Sequence, residues 1–202
     1  MIPFAFIFLG YFFGSIPFGL VLTHAAGLGD IRAIGSGNIG ATNVLRTGNK
    51  KLAAATLFLD AAKGSVAVMM AHAALAGPAA HDAGLWAGLG AVLGHMFPIW
   101  LKFNGGKAVA TGLGVLIVVA WPVGLLACAT WVGFFAVARI SSLAGLMAFA
   151  LAPIFAFGLS DLHVVYLSLT IGVLVWIRHH ANIGRILAGT EPRFGRSEKP
   201  KA

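Results

Sequence analysis

Charge is scarce in this chain: only 10% of its 202 residues are charged, and only 6 of them are Asp or Glu. Those six lie far apart, so no stretch offers the carboxylate cluster that Mg²⁺ or Ca²⁺ requires. There is one cysteine, Cys128, inside an apolar stretch. That excludes an intrachain disulfide, and a lone thiol among hydrocarbon side chains is a poor nucleophile. No Cys/His spacing suits zinc, and no cofactor is called for. Only one of the 14 Lys and Arg, Lys63, lies outside four short stretches: 32–51, 102–107, Arg139 and 178–201. The excess of positive charge is therefore the loop charge of a membrane protein rather than a nucleic-acid surface.

What fills the chain instead is hydrocarbon: 59% of residues are hydrophobic and the mean hydropathy is +0.91. A soluble domain of this size could not hide so much apolar surface from water. Apolar stretches read at about 2–23, 52–76, 83–101, 108–121, 122–138, 142–160 and 162–178. The first is not patterned as a signal peptide, since no basic segment precedes it and Gly10, Gly14, Ser15 and Pro17 interrupt it. The Gly10/Gly14 spacing suits close helix packing. A single helix over 108–138 would be ~46 Å long against a hydrocarbon core of ~30 Å. Basic residues stand at both of its ends, so Pro122 beside Trp121 is read as a reversal.

The expected fold is all-α, with seven transmembrane helices. The gaps near 77–83, 121–124 and 158–163 hold no Lys or Arg, so they are placed outside and the basic loops in the cytoplasm. This puts the N-terminus outside and the C-terminus in the cytoplasm. Residues 1–192 form one transmembrane domain, followed by a polar, mobile cytoplasmic tail at 193–202.

Three polar clusters fall on the cytoplasmic side. GSGNIGATNVLRTG (35–48) has the spacing G-x-G-x-x-G at Gly35, Gly37 and Gly40, but no strand–helix–strand unit surrounds it, and no Gly-Lys-Ser/Thr follows. What remains is a loop whose backbone N–H groups could approach an anion, with Ser36, Asn38, Thr42 and Asn43 as further donors. GHMFPIWLKFNGGKAVAT (94–111) sets Lys107 between a Gly-Gly turn and a helix start, while Lys102 reads as a topology charge. RHHANIGR (178–185) puts His179, Asn182 and Arg185 on one helical face. Three helix N-termini, with Arg46, Lys107 and Ser142 beside them, face the same side and suit phosphates. Asp60 and Lys63, inside a span at i and i+3, read as a self-neutralising structural pair.

Taken together and in this order, the clusters resemble the three cytoplasmic motifs of the bacterial PlsY family, acyl-phosphate-dependent glycerol-3-phosphate acyltransferases. The likeness covers most of the chain. It departs at Ala108, where the family usually has glycine, and at Ala181, where it often has glutamate. No histidine here is followed five positions later by aspartate, so the general-base pair of the large acyl-CoA-using acyltransferases is missing. The resemblance implies transfer of a fatty acyl group from acyl phosphate to the 1-hydroxyl of glycerol 3-phosphate, in the bacterial inner membrane and at its cytoplasmic face. Lysophosphatidate and phosphate would be the products, membrane lipid the setting, and an acyl-phosphate-producing enzyme an expected partner.

By the same resemblance Ser36, His179 and Asn182 act at the reacting hydroxyl. Gly37, Asn38, Gly40, Thr42, Asn43, Arg46, Lys107 and Ser142 bind substrate. Two other classes stay open. An anion transporter would need a polar path near the midplane, and an assembly protein could use the small-residue faces at Gly84–Gly88 and Gly90–Gly94.

Overall fold

The computed structural model describes residues 2–195, and among them there is no β-strand. Its helices are α1 (Ile2–Gly14), α2 (Phe18–Ala25), α3 (Ala41–Val44), α4 (Lys50–Ala74) and α5 (Pro78–Met96). They continue as α6 (Val109–Val119), α7 (Trp121–Ala138), α8 (Ser141–Leu159), α9 (Leu162–Arg178) and α10 (His180–Leu187). Five segments are long and apolar enough to cross a membrane: Phe4–Ala25, Lys50–Ala74, Pro78–Leu101, Trp121–Ala138 and Ser141–Leu159. The pair α9 and α10, bent by 64°, makes a sixth. The remaining expected crossing falls on α6. Its 11 residues reach only ~16 Å, about half of a bilayer core.

Local chemistry explains where the helices start and stop. Asn49 Oδ1 accepts from Leu52 N at 3.0 Å to open α4, and Asp161 Oδ1 accepts from His163 N and Val164 N to open α9. The stretch 108–138 does break, at Ala120 (φ −151°, ψ 86°), and Pro122 sits in the first turn of α7. Proline lacks the N–H that a helix start leaves unused. Pro17 ends the α1–α2 continuity in the same way, by removing a donor. The carbonyl of Ile16, which accepts from Phe18 N at 3.1 Å, also takes Lys63 Nζ at 2.8 Å, and Asp60 Oδ1 lies 2.9 Å from the same ammonium. This buried pair therefore braces a broken helix.

Packing is inside-out relative to a soluble protein. Phe4, Phe8 and Phe12 form one outward stripe of α1, exposed at 67%, 71% and 59%, as a lipid-facing surface would be. The inward side is small. A Cβ on Gly10 would lie 1.9 Å from Ala87 O, and one on Gly14 2.0 Å from Ala91 O. From the other side, a Cβ on Gly90 would lie 2.2 Å from Ile7 O, and one on Gly94 2.3 Å from Tyr11 O. Glycine thus lets α1 and α5 touch backbone to backbone. Gly84 and Gly88 face His72 and Val115 of the same chain. The small-residue faces that could have served assembly are consumed inside the fold.

Gly10→Ala is expected to cost ~1–3 kcal/mol, the usual range for overpacking. Gly133→Ala, in α7 with nothing within 4 Å of its Cβ, is expected to be neutral or gain up to ~1 kcal/mol of helix propensity. Thermal unfolding in detergent measures both. Equal shifts would mean that the α1–α5 seam is not close-packed.

The first residues of the expected tail pack against the helices. Phe194 N donates to Arg139 O at 2.8 Å, and the Phe194 ring meets Phe135 edge-on at 5.2 Å. Of the expected mobile tail, residues 196–202 lie outside the described residues.

Candidate active site

The glycine-rich loop is shaped by its own side chains. Asn43 is buried; its Nδ2 donates to Ile31 O at 2.7 Å and to Ile34 O at 3.2 Å. Its Oδ1 accepts from Ser36 N at 3.2 Å. Asn38 Oδ1 accepts from Gly40 N at 3.0 Å, and Ile34 O from Gly37 N at 3.0 Å. The backbone N–H groups of Ser36, Gly37 and Gly40, expected to face an anion, are therefore already engaged within the loop. Asn38 and Asn43 shape the loop through these bonds. Gly35 (φ 56°) and Gly37 (φ 67°) supply the left-handed turns this needs. A Cβ on Gly35 would also strike Arg46 Nη1 at 2.2 Å, so the guanidinium lies directly over that turn. What the loop offers outward are the exposed Ser36 hydroxyl and Arg46. Thr42 Oγ1 lies 3.0 Å from Ser141 Oγ, which ties the loop to the start of α8.

The Gly-Gly turn before Lys107 is equally constrained. A Cβ on Gly105 would lie 2.1 Å from His95 O, and one on Gly106 would lie 2.0 Å from His95 Nε2. The buried His95 packs under the turn and its Nδ1 approaches Asp60 Oδ1 at 3.7 Å, so it serves as framework. Arg178 clamps the turn from the other side, donating from Nη2 to Gly105 O at 2.8 Å and from Nε to Gly106 O at 3.2 Å. Ala108 stands at φ 55°, ψ 22°. That region costs a non-glycine residue ~1–2 kcal/mol, which explains why glycine suits this position.

Lys107 Nζ donates to Asn182 Oδ1. Asn182 Nδ2 donates to Glu191 Oε1, which also accepts from Ser142 Oγ at 2.7 Å. Glu191 Oε2 takes Arg185 Nε at 2.6 Å. One carboxylate thus gathers α8, α10 and, through Asn182, the start of α6. Burial works against the charge of Glu191, but hydrogen bonds from Ser142, Asn182 and Arg185 hold its carboxyl below the usual range. The single hydroxyl proton of Ser142, expected to bind substrate, is spent on Glu191.

Burial lowers the Lys107 ammonium to about 8; Glu191 opposes that shift, and the nearby Arg185, Arg178 and Arg46 add to it. Among the described residues these four cations are compensated by one carboxylate, which suits the cluster to anions.

His179 sits at the α9–α10 bend, nearly enclosed, with Nδ1 2.8 Å from Val175 O. A carbonyl can only accept, so Nδ1 carries the proton and Nε2 keeps its lone pair. Burial first, then Lys107, bring this imidazole down to about 4. A helix C-terminus alone would favour imidazolium; enclosure beside an ammonium outweighs it, and His179 is neutral. Its Nε2 makes no hydrogen bond among the described residues.

Sequence comparison decides what this arrangement belongs to. Residues 4–189 match the family described as glycerol-3-phosphate acyltransferase. The chain belongs to that family. A glycerol-3-phosphate acyltransferase of Mesorhizobium japonicum is 57% identical over 186 residues, covering 92% of this chain and 93% of the relative. One from Cereibacter sphaeroides is 56% identical over 188 residues, covering 93% and 88%. The fold is similar to the crystal structure of PlsY (YgiH), an integral membrane glycerol 3-phosphate acyltransferase, in its glycerol 3-phosphate form. The TM-score is 0.87, with 39% identity and 96% of each chain covered. Its lysophosphatidic acid form gives 0.84, with 37% identity, 96% of this chain and 95% of that one.

Within this glycerol-3-phosphate acyltransferase family member, the three motifs lie together at one end of the helices. Arg178 and Arg185, the two ends of the third cluster, take part, and Glu191 joins from beyond. Arg185 had a helical-face signal in the sequence. Glu191, beyond the 178–185 cluster, had none.

Proposed function

We propose that this chain transfers a fatty acyl group from acyl phosphate to the 1-hydroxyl of glycerol 3-phosphate, releasing lysophosphatidate and inorganic phosphate. The observation that carries the reading is the pairing of a four-cation cluster around one carboxylate with a neutral imidazole whose Nε2 is unengaged. Both substrates bring phosphate, and one brings a hydroxyl that must lose a proton. Lys107, Arg46 and Arg185 have N–H groups left for the glycerol phosphate. Asn182 holds Lys107 in place, and Ser142 acts through Glu191. His179 Nε2 accepts from the 1-hydroxyl as it attacks the acyl carbon, and the phosphate leaves with the electron pair of the broken acyl–oxygen bond. Ser36 on the glycine-rich loop, with Thr42 anchoring that loop to α8, faces the leaving phosphate. Acyl phosphate is a mixed anhydride, so it needs no further activation.

The same reading places the N-terminus outside and this site at the cytoplasmic face of the bacterial inner membrane, with an acyl-phosphate-producing enzyme as supplier. Support comes from the reversal at Ala120, which returns Arg139 to the end where Lys107 lies, and from the bare opposite gaps. On this arrangement the short α6 is the seventh crossing.

Detergent-purified protein is expected to form lysophosphatidate from glycerol 3-phosphate and acyl phosphate. Turnover with acyl-CoA and none with acyl phosphate would overturn the assigned donor.

A further inference from the structure

At the other end of the helices the chain gathers a second set of chemically able side chains, which the acyl-transfer reading leaves unused. His81 lies in the first turn of α5, Asp161 caps α9 and His163 follows it by two residues. From His81 to Met96, at the end of α5 that leads to the Gly-Gly turn, the helix runs ~22 Å. We propose that His81, Asp161 and His163 form a binding site for a divalent transition-metal ion of the zinc class, joining the starts of α5 and α9.

Four observations carry this. First, the ligand atoms of the three side chains lie within 4.8 Å of one another. An ion held at ~2.0–2.2 Å from each nitrogen and oxygen needs little more than a rotation of the His163 ring. That side chain is 68% exposed and free to turn.

Second, His81 Nε2 is 3.1 Å from Asp161 Oδ2, yet it is a buried nitrogen without a hydrogen-bond partner. The two atoms are close but misaligned for N–H···O. Two ligands pointing at a shared ion would stand this way. Third, Asp161 is held in place from behind, since its Oδ1 accepts from two backbone N–H groups and leaves Oδ2 to face His81. Fixing a ligand by hydrogen bonds to its other atom is how metal sites are ordered.

Fourth, no Lys or Arg occurs in the gaps 77–83 and 158–163, so no cation competes for the carboxylate. Asp82 borders the same cleft as His163 and adds negative charge. Two imidazoles and one carboxylate leave room for water or a further ligand. That donor set suits Zn²⁺ and its neighbours over the hard cations Mg²⁺ and Ca²⁺. Sequence spacing could not show it, because His81 and Asp161 are brought together only by the packing of α5 against α9.

The test uses full-length, detergent-purified protein carrying no histidine tag, titrated with zinc alone in competition with a chromophoric chelator. The parent is expected to take up one zinc per chain saturably. His81→Ala, His163→Ala and Asp161→Asn are each expected to weaken that uptake at least tenfold; the asparagine keeps an oxygen to cap α9. All three variants should retain parental acyl transfer with chelator present, which establishes that they are folded. Weakening in two or more of the folded variants supports the site. No saturable uptake by the parent, or weakening in one variant or none, overturns it.

Discussion

Replacing His179 by glutamine is expected to lower kcat by ~10²–10⁴-fold, the usual contribution of a positioned base. It should do so without abolishing the acid-side fall of activity near pH 6. The reason lies in the buried position of the imidazole. With Nδ1–H given to Val175 O, and with burial and Lys107 holding the group near 4, the free protein carries neutral His179 across ordinary pH. A profile of kcat/KM reports groups of the free protein and the free substrate. A phosphate monoester such as glycerol 3-phosphate has its second pKa at ~6. Two acid limbs are therefore expected in the parent, near 6 from the substrate and near 4 from His179. Glutamine can still orient the hydroxyl but cannot take its proton. It should remove the lower limb and keep the upper one. Loss of the limb near 6 in the variant would assign that limb to His179 and refute the neutral imidazole.

Lys107→Ala is expected to raise the apparent KM for glycerol 3-phosphate by about 10–100-fold, whereas Lys102→Ala should change it less than twofold. A hydrogen bond to a charged group is worth ~1.5–3 kcal/mol, and each ~1.4 kcal/mol is a factor of ten in affinity. Lys102 is exposed on the turn after Leu101, whereas Lys107 is held by Asn182 inside the cationic cluster.

The pH dependence has a definite sign. Lysine is charged below its pKa, and that of Lys107 is lowered to about 8. As pH rises through 8 the ammonium is lost, and kcat/KM for the phosphate substrate should fall. The alanine variant, having no such group, should lack this alkaline limb. Equal KM effects at the two lysines would make Lys107 an ordinary loop charge.

Much of the architecture could be read in advance because membrane helices are written in composition. Each expected apolar stretch has a helix, and the turn proposed beside Pro122 falls at Ala120. The Gly10/Gly14 spacing foretold a close seam but not its partner, α5. The site was legible as motifs and not as contacts. Arg178 reaches Gly105 across 73 positions of sequence, and Ser142 reaches Glu191 across 49. No local pattern encodes such pairings. The intraloop bonds of Asn43 and Asn38 were hidden for a related reason. An amide in a glycine-rich loop looks the same whether it will face a ligand or fold back on its own backbone. The charge state of His179 needed the surrounding burial, which only the three-dimensional packing supplies.

The place of Glu191 in the chain has a consequence for biogenesis. A nascent polypeptide leaves the ribosome N-terminus first, so Arg46, Lys107, Ser142 and His179 are all synthesised before the carboxylate that organises them. Until residue 191 emerges and folds back beneath α8 and α10, Asn182 and Arg185 lack their shared acceptor and the cations repel one another. The helices can be inserted, but the cluster closes only once residue 191 has been made and has folded back.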